Sequence, residues 1–354
     1  MEAVSTRSLV SIGGLACRSP VLCGAGEHVM SLAGIRAALA QGVGGVVAKS
    51  VNESEAGIRQ MDHADYTRLS PDLRPTGWNS KEEGTSMFNR SGLGPDDPAE
   101  WFATAAAVDR EVAGNGQFVA GSLILGEADA AVELAKLAQA SGLRVLEFNM
   151  GAPHASEAKP GSITIETDPV RAAGIVGRLR DVFGGQLWIK LTGLSNDLVP
   201  LAVAARAAGA DAVGLMGRFM AMVPDLDTLR PVLNTSAAYG GRWALPITCR
   251  WLALARRAMG QDAPLYGTNG ARDGLDVARM MLAGARGVEM TTAVLEHGFG
   301  RLGESVRALD GWLASRDLTA EGIIGHAADA LETYGGQPER KGHWRNFVPP
   351  ETNG

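Results

Sequence analysis

Short apolar runs alternate along the chain with longer segments in which apolar residues recur three and four positions apart. This is the pattern of parallel strands joined by helices. The runs predict eight strands: Val21–Gly24, Gly44–Lys49, Phe118–Ser122, Val145–Asn149, Leu187–Leu191, Ala212–Met216, Pro264–Thr268 and Gly287–Thr291. The segments between them predict helices, for example Asp129–Ala140, Asp168–Val182 and Val199–Ala208, each ending near Gly. Eight such units predict an α/β fold of the (β/α)8, or TIM-barrel, type. Ahead of the first strand, Leu9-Val10-Ser11-Ile12-Gly13-Gly14-Leu15-Ala16-Cys17 reads as an N-terminal β-hairpin that would plug the barrel bottom. The polar, Gly-, Pro- and Ser-rich stretch Asn52–Asp96 predicts a loop over the barrel top, and a second insertion, about Met220–Pro246, follows strand six. After about Arg301 the pattern predicts two closing helices and a polar tail. The whole reads as one domain over 1–354, with 51–100 covering the site and 301–354 closing the barrel.

Composition narrows the function classes. The 354 residues are 45% apolar and 20% charged, an ordinary globular balance that suits one barrel with insertions. A net charge of −6 and scattered basic residues argue against a nucleic-acid partner. Cys17, Cys23 and Cys249 are too sparse for an iron–sulfur or zinc site, so no metal is expected, and they fit a reducing cytoplasm. No basic region followed by an apolar run opens the chain, so no signal peptide is read. No run of about 18 apolar residues occurs, so no membrane span is expected.

Barrel chemistry sits where strands end. Strand one ends in Cys23-Gly24-Ala25-Gly26, small residues that let a flat ring approach the backbone. Strand two ends in Lys49-Ser50 and strand five in Lys190-Leu191-Thr192. These lysines either place positive charge beside an anionic ring or simply reach solvent. Strand four, Leu146-Glu147-Phe148-Asn149, delivers Asn149 to a small-residue turn, Met150-Gly151-Ala152-Pro153-His154. Strands seven and eight lead into Thr268-Asn269-Gly270-Ala271 and Thr291-Thr292-Ala293. Their hydroxyls and backbone N–H groups, with Gly240 and Gly241, could receive a phosphate; the glycines could equally just form turns.

Taken in order, these pieces resemble the dihydroorotate and dihydropyrimidine dehydrogenase family over about Ser11 to Gly300. The resemblance is carried by Ile12-Gly13-Gly14-Leu15, Ser19-Pro20-Val21, Gly44-Gly45-Val46-Val47-Ala48-Lys49-Ser50, Asn89-Arg90-Ser91-Gly92-Leu93, Glu147-Phe148-Asn149, Trp188-Ile189-Lys190-Leu191-Thr192, Ala208-Gly209-Ala210-Asp211, and Gly267-Thr268-Asn269-Gly270 with Met281-Leu282-Ala283-Gly284-Ala285. It implies one FMN across the barrel mouth. Ala25, Gly26, Lys49 and Ser50 would meet the ring or ribityl chain, with Lys190 and Asn149 beside the ring. Gly240, Gly241, Gly270, Thr291 and Thr292 would hold the phosphate end. Asn89 and Asn149 would bond a cyclic imide, to which an amide offers both donors and an acceptor. The resemblance also implies a homodimer. Membrane-attached relatives carry an N-terminal helical extension, for which the early start of the barrel pattern leaves no room.

The departures are as informative. Ala152 stands where the family has its catalytic Cys or Ser, Gly151 replaces a neighbouring Ser, and Met216-Gly217 replaces an Asn-Ser or Asn-Thr pair. His154 is the remaining acid/base candidate, or else only a substrate-bonding group. Cys23 is a second candidate and His28 a weaker one. Arg90 and Arg218 are added charges suited to a carboxylate, sulfonate or phosphate, unless they pair with acids at the surface. These features predict an FMN-dependent oxidoreductase for a small, planar, anionic substrate other than dihydroorotate. With neither iron–sulfur cysteines nor a GxGxxG nucleotide fingerprint, the electron donor or acceptor stays open: a small molecule, O2 or a partner protein. The alternatives are a flavin monooxygenase or non-redox flavin enzyme, a true dihydroorotate dehydrogenase with a substitute base, and a non-catalytic barrel subunit.

Overall fold

The computed structural model describes residues 5–151 and 165–349. Strands β1 (Val10–Ile12) and β2 (Leu15–Cys17) form the predicted antiparallel hairpin. β3 (Val21–Cys23) and β4 (Gly45–Val47) begin the barrel, and β5 (Asp65–Leu69) and β6 (Ser86–Arg90) lie in the first insertion. The barrel continues with β7 (Phe118–Ile124), β8 (Val145–Asn149), β9 (Gln186–Lys190) and β10 (Ala212–Leu215). β11 (Met220–Ala221) and β12 (Ala237–Gly240) lie in the second insertion, and β13 (Leu265–Thr268) and β14 (Gly287–Met290) complete the set. The barrel closes in the order β10-β13-β14-β3-β4-β7-β8-β9, with parallel pairing throughout. The predicted TIM barrel is therefore the fold, with strand ends within two residues of the sequence reading.

The hairpin sits beneath the barrel. Gly13 takes φ +58, and a Cβ there would lie 2.6 Å from the carbonyl oxygen of Asp211, just before β10. That close approach requires glycine. Between strands, Asp97, Asp168 and Asp273 accept backbone N–H groups at helix starts, the first two followed by Pro98 and Pro169. These caps fix where each helix leaves its strand.

The first insertion holds more order than a loop. β5 and β6 pair antiparallel, β6 pairs with β12, and β12 with β11, giving one four-stranded sheet built from both insertions. Leu69, Phe88, Val223, Val232 and Ala237 form its own small core. These strands are short and their partners lie in the other insertion, so no local periodicity announces them. At the C-terminal end, the helix Gly300–Ala314 buries Leu302, Leu309 and Leu313 and is followed by two short helices, Ala320–Ile323 and His326–Asp329, three helices where the pattern predicts two.

Inside the barrel the packing is layered. Alternate strand residues face inward. Phe118, Trp188 and Tyr266 fill one level, with ring centroids 5.0 and 5.2 Å apart. Room for them comes from Gly45 and Gly214, where a Cβ would lie 2.3 Å from the Phe118 and Tyr266 rings respectively. Two residues beyond Trp188 and Tyr266 come Lys190 and Thr268, while Glu147 and Glu289 face in from β8 and β14. The interior changes from aromatic to charged just below the C-terminal mouth.

Candidate active site

The mouth of the barrel is a cavity roofed by the insertion sheet. Strand ends supply Ala25, Lys49, Ser50, Asn149, Lys190, Gly270, Thr291 and Thr292, and the insertions supply Asn89, Arg218, Phe219, Tyr239 and Gly240. Most sequence-derived candidates therefore face one space. Gly26 and Gly241 lie beside it: a Cβ on Gly26 would meet the His28 ring at 2.7 Å, and one on Gly241 would meet Ser86 Oγ at 3.0 Å. Ala152 and His154 lie outside the described residues.

The floor is a buried charge cluster. Lys190 Nζ donates to Glu147 Oε1 at 2.7 Å and to Glu289 Oε2 at 2.8 Å. Tyr266 donates its hydroxyl to Glu147 Oε2 at 2.9 Å. Burial would raise both carboxyls. Lys190 and its hydrogen bonds nevertheless hold Glu147 below the usual range, whereas burial and the neighbouring Glu147 push Glu289 well above it.

A second ion pair stands at the rim. Lys49 Nζ lies 2.9 Å from Glu27 Oε1 and 3.3 Å from Ser91 Oγ. Burial would raise Glu27, but Lys49 and the Ser91 hydroxyl bring it down to about 2. Burial lowers Arg218, against the raising influence of Tyr66 and Glu27. Asn149 accepts the Gly151 N–H through Oδ1 at 2.9 Å, which turns its NH2 group away from that bond. Asn89 is 2% exposed, and its Oδ1 is buried without a partner. A buried amide oxygen left unpaired is costly and suits a ligand donor.

Two sequence candidates stand elsewhere. Arg90 gives Nε to the His63 carbonyl and Nη1 to the Leu233 carbonyl, each at 2.7 Å, with Asp65 at 3.6 Å. It ties the two insertions together and faces a neighbouring cavity also lined by His63, Arg218 and Ser236. Cys23 is fully buried, its Sγ 3.3 Å from His28 Nε2. Burial raises the thiol and lowers His28 to about 4, so the pair rests neutral rather than as a thiolate–imidazolium pair.

Sequence reasoning missed Glu27, Glu289, Phe219, Tyr239 and Asn269. Glu289 stands two residues before Thr291, on the same inward face of β14, so the period of two offered a signal. The aromatics come from insertions whose pairing is not local, and nothing in the sequence announced them. Tyr239 stacks on Trp243 at 4.8 Å and 14°, giving the cavity a firm flat wall.

These residues fit a flat ring with an anionic tail. A Cβ at Gly24 would lie 2.4 Å from Thr291 Oγ1, and one at Gly240 would lie 2.8 Å from Thr292 Oγ1. The small-residue cradle therefore lets backbone and hydroxyls approach a bound group together. Lys49 and Lys190 supply positive charge, and Asn89 Oδ1 awaits a donor.

Fold and site together define a TIM-barrel protein with a polar cavity at its C-terminal mouth. The chain is 32% identical over 150 residues to the dihydroorotate dehydrogenase B (NAD(+)) catalytic subunit of Alkaliphilus metalliredigens, covering 42% of this chain and 48% of that protein. The same-named subunit of Geotalea daltonii is 35% identical over 164 residues, 46% of this chain and 51% of its own. In these matches the chain spans about half the length of the relative. The same-named subunit of Methanocella arvoryzae is 26% identical over 319 residues, 89% of this chain and 96% of its own. No family model matches the chain. The chain is thus similar in sequence to dihydroorotate dehydrogenase B catalytic subunits, the resemblance its motif order carries.

Proposed function

We propose that this protein is an FMN-dependent oxidoreductase acting on a small, planar, anionic substrate other than dihydroorotate. The convergence of Lys49, Asn89, Asn149, Lys190, Gly240 and Thr291 on one cavity carries the cofactor part of this reading. FMN, when bound, supplies the two-electron chemistry. Lys190 would hold the ring from below, Thr291, Thr292, Gly240 and Gly270 would receive the phosphate, and Asn89 and Asn149 would orient the substrate. The substrate part rests on Ala152 in place of the family's proton acceptor and on Arg218 at the cavity. His154 is the acid/base group in this reading. The relatives' names favour a second reading, oxidation of dihydroorotate itself with His154 as base. We further read the protein as a cytoplasmic homodimer with a separate electron donor or acceptor. All three cysteines are free, and among the described residues no helix is long and apolar enough to cross a membrane.

An anaerobic absorbance titration with dihydroorotate tests both readings in one cuvette. A flavin band that stays oxidised supports the first reading. Bleaching transfers the case to the second, and no flavin band after adding FMN sinks both.

A further inference from the structure

The cavity floor holds two buried carboxyl groups and one ammonium. Glu147, Lys190 and Glu289 are 0%, 6% and 2% exposed. With both acids ionised the cluster would carry a buried net negative charge, which is strongly unfavourable away from water. One proton relieves it, and the hydrogen bonds say where the proton sits. Glu147 takes donors on both oxygens, Lys190 Nζ at 2.7 Å and Tyr266 at 2.9 Å. Glu289 has Lys190 on Oε2 at 2.8 Å, while its Oε1 is buried with no donor in reach. An oxygen without a donor is the place for a hydroxyl.

We propose that Glu289 is a proton-holding positioning residue of this site: it keeps one proton, shared toward Glu147, so that Lys190 is balanced by a single carboxylate and turns a free donor to negative charge in the cavity. The inference rests on the flavin reading of the site and names what keeps the lysine under the ring effective. An ammonium has three donors, and Glu147 and Glu289 use two. The remaining one belongs to the cavity that Lys190 lines. The groups facing Glu289 are Lys190 of β9, Glu147 of β8, Tyr266 of β13 and the neutral thiol of Cys23 on β3. The direction of their shifts, Glu147 held low by Lys190 and Glu289 raised by burial and by Glu147, agrees with a proton on Glu289. Glycine at position 24 belongs to the same arrangement, since a Cβ there would reach 3.1 Å from Glu289 Oε2.

Infrared difference spectra of the full chain at neutral pH, in H2O and D2O and without added flavin, test the proton directly. The expected result is a protonated-carboxyl C=O band that moves in D2O and vanishes in E289Q. The band should also vanish in E147Q, because Glu289 then pairs with Lys190 alone and ionises. A wild-type protein without the band, or a band that survives in E289Q, overturns the proposal. If E289Q fails to fold, E147Q decides: a band that persists there overturns the shared proton. The flavin-bound protein gives a second readout. Glutamine mimics the neutral carboxyl, so the ratio of FMN affinities in the oxidised and reduced states should change less than tenfold, about 30 mV for a two-electron couple. A larger shift means Glu289 carried charge and overturns the proposal. Failure of FMN to bind falls on the functional reading, and the infrared band still decides the proton.

Discussion

Lys190 Nζ lies 2.8 Å from Glu289 Oε2 across the barrel interior, although their strands β9 and β14 are not neighbours in the closed sheet. The same ammonium reaches Glu147 on the adjacent β8 at 2.7 Å. One side chain thus ties opposite walls of the barrel directly beneath the cavity.

Removing that tie should reverse the pH dependence contributed by Glu147. In the wild type its carboxyl is held low, so its contribution is present above the unfolded value and lost as pH falls. In Lys190→Met the charge that holds it low is gone, and burial outweighs the remaining Tyr266 hydrogen bond and lifts it. The folded state then keeps a proton that the unfolded state releases above the usual carboxylate range, and stability falls as pH rises. The variant should lose about 1.4 kcal/mol per pH unit relative to wild type where that proton differs. Urea denaturation at pH 5 and pH 8 checks this, and parallel slopes refute it.

The two arginines should separate. Arg218 lines the cavity, whereas Arg90 is tied to two backbone carbonyls. Arg218→Gln should weaken a planar carboxylate such as orotate by at least about tenfold, the order expected when a charge-assisted contact is lost. Arg90→Gln should leave that affinity within about twofold and instead cost roughly 1–3 kcal/mol of stability through its two carbonyl bonds. Equal effects of both variants on affinity would overturn this division.

His28 supplies a pH signature in the opposite sense to a raised carboxyl. Its folded pKa is lowered to about 4 by burial, so the unfolded state binds more protons as pH falls below the ordinary value of 6.5. Its contribution is complete above that value and is lost on acidification toward 4. His28→Gln should lose this part of the slope, no more than about 3 kcal/mol in total because the side chain is partly exposed. Glu289 pulls the other way in the same window, so the measurement is the wild-type-minus-variant difference in unfolding free energy between pH 7 and pH 5. A flat difference would mean that His28 is not buried neutral.

How legible the site was depended on how local its signals were. Each barrel strand is a continuous apolar run because both faces are covered, and the eight runs could be read one at a time. That Lys49, Asn149 and Lys190 would line the mouth could be read because strand ends are where barrels present side chains. The insertion sheet was not found, since β6 meets β12 across a long stretch of chain and neither strand alternates long enough to stand out. Arg90 shows the limit from the other side: its position suggested a substrate contact, but the carbonyls of His63 and Leu233 that claim it are distant in sequence. The division of labour between Glu147 and Glu289 needed the hydrogen-bond geometry, because sequence alone shows two like residues on inward-facing positions.

Gly24 gives the sharpest test of the cradle. It follows β3 and continues the parallel pairing by donating its N–H to the Met290 carbonyl at 3.2 Å. A Cβ there would lie 2.4 Å from Thr291 Oγ1 and 3.3 Å from Glu289 Cβ. The nearest clash is with a hydroxyl that can be removed; behind it lie Glu289 Oε2 at 3.1 Å and a side-chain carbon close to its backbone. Gly24→Ala should therefore cost about 1–3 kcal/mol, the usual size of overpacking. It should also weaken FMN by at least about tenfold by turning Thr291 out of place. Adding Thr291→Ala should restore much of the stability and little of the FMN affinity, because the hydroxyl offered to the phosphate is then gone. A double-mutant cycle with both readouts separates the two. Purely additive stabilities would show that Thr291 Oγ1 is not what glycine makes room for, and recovery of FMN affinity in the double variant would remove Thr291 from the phosphate end of the site.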